Sequence, residues 1–368
     1  MMKKDLTIPY DDELLSSYLV RCAHEVGMGM HAFIGQYAGG LSVWNRDIDR
    51  SASDGLIDHF ANASGLSHDR IMHMTLRAWE HHLHPAEQDM VNGCGPWILS
   101  LGIYHRKRHG FGQQYCPACL TESPVYVRQW RLASETVCHR HLLLLIDRCS
   151  KCQQPIIPHR QFPRSTSCHN CGFLLTAKAD AVVDSASQIQ ITQTSLRFQA
   201  GLHRDVVRVG NHELSMRVFA RGVHTLVSLL HARLRDGIWG RELGTRNQLH
   251  VEIEHASVAE RHRCLQLLDA VMEDWPHQFV SRAMTWGITQ CTLPKPFRVD
   301  LPEWIHEGIR LLPPGRPWKP KWAPVPEPNM PRNHSKFRRD LRQIHRKRES
   351  TWRSDRADLL LKAVKGRA

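Results

Sequence analysis

The chain has 368 residues, and its 49 Lys and Arg against 36 Asp and Glu give it a formal net charge of +13. Its 42% hydrophobic and 23% charged residues are typical of a globular protein and exclude wholesale disorder. The longest aliphatic run, residues 142–146, is too short to cross a bilayer, which excludes an integral membrane protein. The first residues carry no apolar secretion signal, so we expect the protein in the cytoplasm. The positive charge favours a polyanionic partner, most simply nucleic acid.

Residues 1–110 predict a helical domain. Apolar residues at helical spacing over 14–26 predict a helix that ends at Gly27, and residues 33–37 indicate a short second helix. Two more helices are predicted on either side of Gly65, the first carrying Leu56, Ile57, Phe60 and Ala61, the second capped by Ser67 and carrying Ile71, Met72, Leu76 and Trp79. This outline resembles a helix-turn-helix, which either reads DNA directly or belongs to a helical bundle that binds protein.

A basic patch closes this domain at residues 104–109. Arg106, Lys107 and Arg108 follow the aromatic Tyr104, and such a grouping favours contact with nucleic acid. The alternative is a short solvated turn.

Cysteines and one histidine define a central module over residues 111–178. Four pairs share a two-residue spacing, which lets a tight turn present both side chains to one metal ion. The eight predicted ligands are Cys116, Cys119, Cys138, His141, Cys149, Cys152, Cys168 and Cys171. Because a reducing compartment disfavours disulfides, we interpret them as ligands of two Zn²⁺ ions per chain, against buried thiols or a redox dithiol as the alternative.

Pairing neighbours along the chain gives loops of the length usual in zinc ribbons, so the first four and the last four residues should each form one site. An interleaved, cross-braced arrangement stays open, and His139 competes with His141. Four protein ligands leave no open position for water, which predicts structural rather than catalytic zinc. The isolated cysteines Cys22, Cys94, Cys264 and Cys291 are interpreted as core or incidental residues.

Residues 179–312 predict a second helical domain. Leucines at helical spacing predict a long helix over 212–235, and Ser257 with Glu260 forms a capping-box sequence at the start of another, which continues to Val271. Trp275-Pro276 predicts a break before a further helix over 277–287.

Residues 313–331 are rich in proline and predict a semi-rigid linker, and residues 332–368 form a basic tail. The tail carries much of the net positive charge, including Arg338, Arg339, Arg342, Arg346, Lys347 and Arg348. Its apolar residues at helical spacing predict a basic amphipathic helix that binds phosphates or, alternatively, a protein partner. The predicted fold is therefore mainly α, with a central tandem zinc-ribbon or zinc-finger module.

Several motifs of the chain form a recognisable set: the Pro9, Glu13 and Arg21 pattern around the start of the first helix, Tyr115-Cys116-Pro117-Ala118-Cys119-Leu120, Tyr126 with Trp130, Cys138-His139-Arg140-His141, Cys149-Ser150-Lys151-Cys152, and Trp275-Pro276 with Phe279. Together these motifs resemble the TniQ/TnsD family, the target-selection proteins of bacterial cut-and-paste transposons. The resemblance covers roughly residues 8–290 and is most specific over 115–171.

The resemblance implies a non-catalytic adaptor of DNA transposition in the bacterial cytoplasm. Family members recognise either a target DNA or an RNA-guided CRISPR Cascade complex with its guide RNA, and recruit an AAA+ regulator of the TnsC or TniB type. Members that act with Cascade are homodimers. Two alternatives are a zinc-containing DNA-binding protein that acts directly at an attachment site and a metal-dependent nuclease, for which Asp47 and Asp49 form the one close acidic pair near basic residues.

Overall fold

The computed structural model describes residues 6–38, 43–83, 95–104, 107–161, 165–177, 189–234, 252–291, 293 and 301–315. Contacts divide the chain into two compact units, Met1–Arg316 and Pro317–Ala368, and every described residue belongs to the first. Arg106, Cys94, most of the predicted linker and the whole basic tail lie outside the described residues. Among the described helices, none is both long and apolar enough to span a membrane.

The prediction of a mainly α fold is confirmed. In chain order the helices are α1 (Leu15–Glu25), α2 (Met30–Tyr37), α3 (Ile48–Ser51), α4 (Asp54–Ser64), α5 (His68–His73), α6 (Arg77–Leu83), α7 (Pro117–Glu122), α8 (Gln193–Arg204), α9 (Met216–Leu234), α10 (Val258–Met272), α11 (His277–Thr285) and α12 (Glu303–Arg310). Short 3-10 helices occupy Arg128–Arg131, Pro158–Arg160 and Ile253–His255. Two antiparallel hairpins pair β1 (Ile103–Tyr104) with β2 (Lys107–Arg108) and β3 (Val206–Val209) with β4 (His212–Ser215).

The predicted helix after Ser67 is shorter than its apolar pattern suggested. Ser67 caps α5 as expected, because its hydroxyl accepts the N–H of Arg70 at 3.2 Å. The helix ends at His73, however, and the N–H of Leu76 donates to the carbonyl of Asp49 at 2.7 Å instead of to its own helix. The single helix through Trp79 was therefore wrong. The second helix of the helix-turn-helix outline has only six residues, about 9 Å of length.

The predicted helix over 212–235 was wrong at its beginning. Residues His212–Ser215 pair with Val206–Val209 as a hairpin, and helix α9 starts at Met216. Gly210 stands in the tight turn with a φ of +54°, a conformation that glycine adopts without strain. The capping box at Ser257 is confirmed, since its hydroxyl and the Glu260 side chain each bond the other's backbone N–H.

Two hydrophobic cores organise the described residues. One lies among the first helices and includes Tyr18, Phe33 and Phe60. The other joins the cysteine-rich segment to the C-terminal helices and includes Tyr115 and Trp304. The cysteine-rich segment therefore packs on the C-terminal helices. The expected domain boundaries at 110/111 and 178/179 stay predictions.

Trp97 ties the segment before β1 to the C-terminal helices. It is fully buried with a φ of +69°, an uncommon conformation for a bulky residue. Its backbone N–H donates to Glu254 Oε1 at 2.6 Å, and its indole Nε1 donates to the carbonyl of Ala220 at 2.8 Å. Its ring lies 4.5 Å from that of Phe198. These contacts hold the backbone in a conformation that it would otherwise avoid.

Candidate metal centres

The eight predicted ligands converge as two groups of four. Site A contains Cys116, Cys119, Cys138 and His141, and site B contains Cys149, Cys152, Cys168 and Cys171. Within each site the ligand atoms all lie within 4.8 Å of one another. Neighbouring pairs therefore share a site, as the loop lengths predicted, and the interleaved alternative is wrong.

The distances in site A fit a tetrahedral ion. The Sγ atoms of Cys119 and Cys138 are 3.5 Å apart, and His141 Nδ1 lies 3.2 Å from Cys119 Sγ and 3.6 Å from Cys116 Sγ. Ligands at about 2.3 Å from a tetrahedral zinc ion are roughly 3.8 Å from one another. A disulfide would bring two sulfurs to about 2.0 Å. The donor set therefore suits Zn²⁺ and is not a disulfide.

Site B has the same dimensions. Cys149 Sγ lies 3.7 Å from Cys171 Sγ, and Cys152 Sγ lies 3.6 Å from Cys168 Sγ. Four thiolates in this arrangement are a set that soft-ligand ions such as zinc prefer. Because each site holds four protein donors, both could take a metal ion in a closed, structural coordination sphere.

Tight backbone turns present three of the four ligand pairs. At Cys138 the amide N–H donates to the carbonyl of Leu143 at 2.8 Å, and Leu142 donates back to the carbonyl of Cys138 at 2.8 Å. Leu142 follows the second ligand with a φ of +53°. The same pair of bonds recurs at Cys149 and at Cys168, with Gln153 and Gly172 at the positive-φ position. Each turn directs two side chains to one side.

The remaining pair begins a helix. Cys116 is the N-cap of α7 and Pro117 occupies its first turn, where a missing N–H costs nothing. Cys119 lies one turn later on the same helix.

A carboxylate orients the single histidine ligand. His141 Nε2 lies 2.8 Å from Glu122 Oε1, while its Nδ1 faces the three sulfurs of site A. A metal-bound imidazole commonly donates its other N–H to a carboxylate, which fixes the ring and increases its basicity. Glu122 also pairs with Arg140 at 2.5 Å. Sequence reasoning missed Glu122, although it lies only three residues after Cys119.

His139, the competing ligand, has another role. Its Nε2 lies 2.8 Å from Glu135 Oε2 and 3.0 Å from Ser195 Oγ. Ser195 also donates to Glu135 Oε1 at 2.8 Å. His139 therefore connects the turn of site A to helix α8, outside the ligand group.

The acidic pair of the nuclease hypothesis lies in a buried ion pair. Arg131, fully buried, bonds Asp47 Oδ2 at 2.5 Å and Asp49 Oδ2 at 3.3 Å. Asp49 also accepts the backbone N–H and the hydroxyl of Ser16, each at 2.8 Å. Burial and the charge of Asp47 raise the pKa of Asp49 to about 6, because two carboxylates share one guanidinium. This pair joins α3 and the residue before it to the 3-10 helix Arg128–Arg131, which lies between Cys119 and Cys138 of site A.

The predicted nucleic-acid contacts are only partly described. Lys107 is exposed on β2, whereas Arg108 beside it is partly buried. Burial, reinforced by the charges of Arg131 and Arg160, lowers the pKa of Arg108 to about 10. Arg106 and the six tail residues lie outside the described residues.

The isolated cysteines that the structure describes lie apart from both sites. Cys22 and Cys264 are buried, and burial raises the pKa of each thiol to about 12. Such thiols are inert, as expected of core residues. Cys291 is partly exposed.

These features define the class of protein: a mainly helical chain with two tandem zinc-binding modules. Residues 7–145 match the TniQ family model. The chain therefore carries a TniQ domain over these residues. The match includes all four ligands of site A and ends before those of site B. No curated protein matches the chain.

Proposed function

We propose that the protein is a non-catalytic adaptor that selects the target in DNA transposition. The observation that carries this proposal is the TniQ domain over residues 7–145, with a complete ligand set inside it. TniQ-family proteins are generally transposition adaptors without catalytic activity, and the TniQ domain of this chain supports a transposition-associated or DNA-binding role.

The chemistry of the metal sites supports an adaptor. A catalytic zinc ion keeps one position for water or substrate, whereas sites A and B each offer four protein donors. Two structural Zn²⁺ ions per chain would stabilise the backbone turns that connect the helical parts of the chain. Elemental analysis of purified protein should give about two zinc ions per chain, and fewer than one would contradict this assignment.

The proposed partners are an AAA+ transposition regulator of the TnsC or TniB type on one side and a target-recognising component on the other. The second is either a CRISPR Cascade complex with its guide RNA or target DNA itself, and the adaptor acts as a homodimer. Co-purification of the tagged full-length chain with its own AAA+ regulator tests the first contact, with the regulator of an unrelated transposon as the control. Equal recovery of both regulators, or of neither, would contradict it.

The competing function is direct, sequence-specific DNA binding at an attachment site. The helix–turn–helix outline of α4 and α5 and the basic tail favour it, but α5 has only six residues with which to read a groove. Truncation after Met330 should reduce nonspecific DNA affinity and its salt dependence. An unchanged salt dependence would assign the tail to a protein partner, and metal-dependent DNA cleavage by the isolated protein would refute a non-catalytic role.

A further inference from the structure

One side chain of α1, Arg21, holds the segment that precedes this helix. It makes five hydrogen bonds, one for each of its N–H groups. Its Nη1 donates to Thr7 Oγ1 at 2.8 Å and to Glu25 Oε1 at 3.3 Å. Its Nη2 donates to the carbonyl of Ile8 at 2.9 Å and to Glu13 Oε2 at 2.8 Å, and its Nε donates to Glu13 Oε1 at 3.2 Å. The segment is therefore bonded through both its backbone and its side chains.

The carboxylate of Glu13 completes this network. It is fully buried, and it accepts the backbone N–H of Tyr10 at 3.0 Å and the hydroxyl of Ser17 at 3.2 Å. The guanidinium of Arg21 also lies 4.8 Å from the ring centroid of Tyr10. Because these contacts fix the segment in advance, it loses little further entropy when a partner binds it.

The fixed segment presents two large apolar side chains to solvent. Ile8 is 80% exposed and Tyr10 is 49% exposed, and Ile8 is the most exposed large hydrophobic residue in the described part of the chain. Pro9 between them is buried, so both neighbours face away from the fold. Tyrosine is among the residues that contribute most to the affinity of protein interfaces. We call Ile8, Tyr10 and the exposed Asp11 the Ile8 surface.

The exposed charges bonded to this surface and to the helices beside it are mainly acidic. Asp11 is fully exposed and lies 3.6 Å from Arg70 of α5. Asp69 is exposed next to Arg70, Asp58 of α4 is exposed and bonds a histidine of α5, and Glu25 is exposed at the end of α1. Among the residues that the structure describes here, four exposed carboxylates therefore stand against one exposed guanidinium. Such a surface attracts a cation and repels a phosphate.

We propose that the Ile8 surface binds a protein segment in which an apolar side chain stands beside a lysine or an arginine. The apolar side chain packs on Ile8 and Tyr10, and the cation pairs with Asp11. The acidic surroundings favour a protein over nucleic acid. The pairing of Asp11 with Arg70 also occupies a cation that α5 would need in order to contact DNA. The proposal follows from the geometry of this surface and holds whether or not the chain acts in transposition.

Selection of peptides on the full-length, zinc-loaded protein tests the proposal. A random peptide library displayed on phage is the probe, and the enriched peptides are synthesised and titrated by fluorescence polarisation. They should combine an apolar residue with a neighbouring lysine or arginine. Ile8→Ser and Tyr10→Ser should each weaken their binding about tenfold, because each removes apolar contact from the interface. The matched control, Leu196→Ser, changes an apolar residue that is 41% exposed on α8 and should bind the peptides as the wild type does.

A second pair of variants tests the charge of the partner. Asp11→Asn should weaken peptide binding severalfold and reduce its dependence on salt, because it removes the carboxylate that pairs with the cation. Glu213→Gln makes the same change of charge at a side chain that is 61% exposed on β4, and it should alter neither quantity.

The other possible occupants of the surface give different results. The proposal is overturned if no peptide is enriched, if the enriched peptides are acidic, or if they bind both serine variants as tightly as the wild type. It is also overturned if Tyr10→Ser loses affinity for a single-stranded oligonucleotide but not for the peptides, since the ring would then stack on bases. If Ile8→Ser turns a dimer into a monomer in analytical ultracentrifugation, a second copy of the chain covers the surface and the proposal fails. If either serine variant does not fold, Asp11→Asn decides.

Discussion

Replacing Arg131 by methionine should be among the most damaging single changes in the described part of the chain. Arg131 is fully buried and bonds Asp47, Asp49 and the carbonyl of Leu99, the last at 2.9 Å. Methionine fills a similar volume but leaves the buried carboxylate of Asp49 facing that of the partly buried Asp47 without a cation between them.

The magnitude follows from the unpaired charges that remain. Removing one partner of a buried ion pair costs about 3–5 kcal/mol, because the other charge stays buried without compensation. At roughly 1–2 °C per kcal/mol for a chain of 368 residues, the unfolding midpoint should fall by about 5 °C. Differential scanning calorimetry of the zinc-loaded, full-length protein at pH 7 measures this shift.

The control is Arg208→Met, which breaks an exposed ion pair with Glu213, 3.3 Å long. Its cost should stay within about 0.5 kcal/mol, since exposed pairs contribute little. If the unfolding midpoint of Arg131→Met lies within 2 °C of that of the wild type, the stability of the fold does not depend on the pairing of Arg131 with Asp47 and Asp49, and this pairing does not hold α3 in place.

Three further substitutions test separate contacts. Glu122→Gln should lower the zinc affinity of site A about 10–100-fold, as measured by chelator competition. Site B serves as the internal control, and an equal loss of affinity at both sites would refute the role of Glu122. Burial opposes ionisation of Glu254, but hydrogen bonds from His224 and from the N–H of Trp97 outweigh the effect of burial and lower the pKa of Glu254 below 4.5. The ionised Glu254 therefore stabilises the fold at neutral pH, and this stabilisation is lost as the pH falls through the lowered pKa. Glu254→Gln should therefore be less stable than the wild type at pH 7, with a gap in urea unfolding that narrows towards pH 3; a constant gap would contradict the linkage. Gly222→Ala should cost about 1–3 kcal/mol, because its Cβ would lie 2.3 Å from the ring of Trp304, whereas Gly55→Ala, with open space around its Cβ, should be neutral or stabilising in the same thermal assay. Equal effects of the two alanines would refute the close packing of α9 on α12.

Short sequence patterns correctly predicted the features that depend on interactions between residues close together in the chain. Apolar spacing located α1, and the capping box located the start of α10, since both signals act within a few residues. The two-residue spacing of the cysteine pairs identified all eight residues of the two ligand groups, because a tight turn is enough to bring a pair together.

A long-range contact accounts for one error, whereas the other had a local signal in the sequence. The break between α5 and α6 depends on a bond from Leu76 to Asp49, which no window around residue 76 contains. The hairpin of β3 and β4 has a local signal, a glycine and an asparagine between two short alternating runs, but the helical spacing of the leucines that follow extends back over β4 and obscures it.

The site residues that sequence reasoning missed also depend on tertiary structure. Trp44 and His159 are far apart in the chain and stack on each other only in the fold. Arg131 pairs with acidic residues more than 80 positions earlier. Spacing rules cannot identify such groups, because no short motif contains them.

The proposed role of this chain is to direct transposition to a target. The most direct measurement counts insertions at the preferred target in cells that carry the complete transposon, with and without this protein. Targeted insertions should fall to background without the chain and return when the wild type or a variant at the exposed Arg208 is supplied. Targeted insertion at an unchanged frequency in the absence of the chain would refute the proposed role.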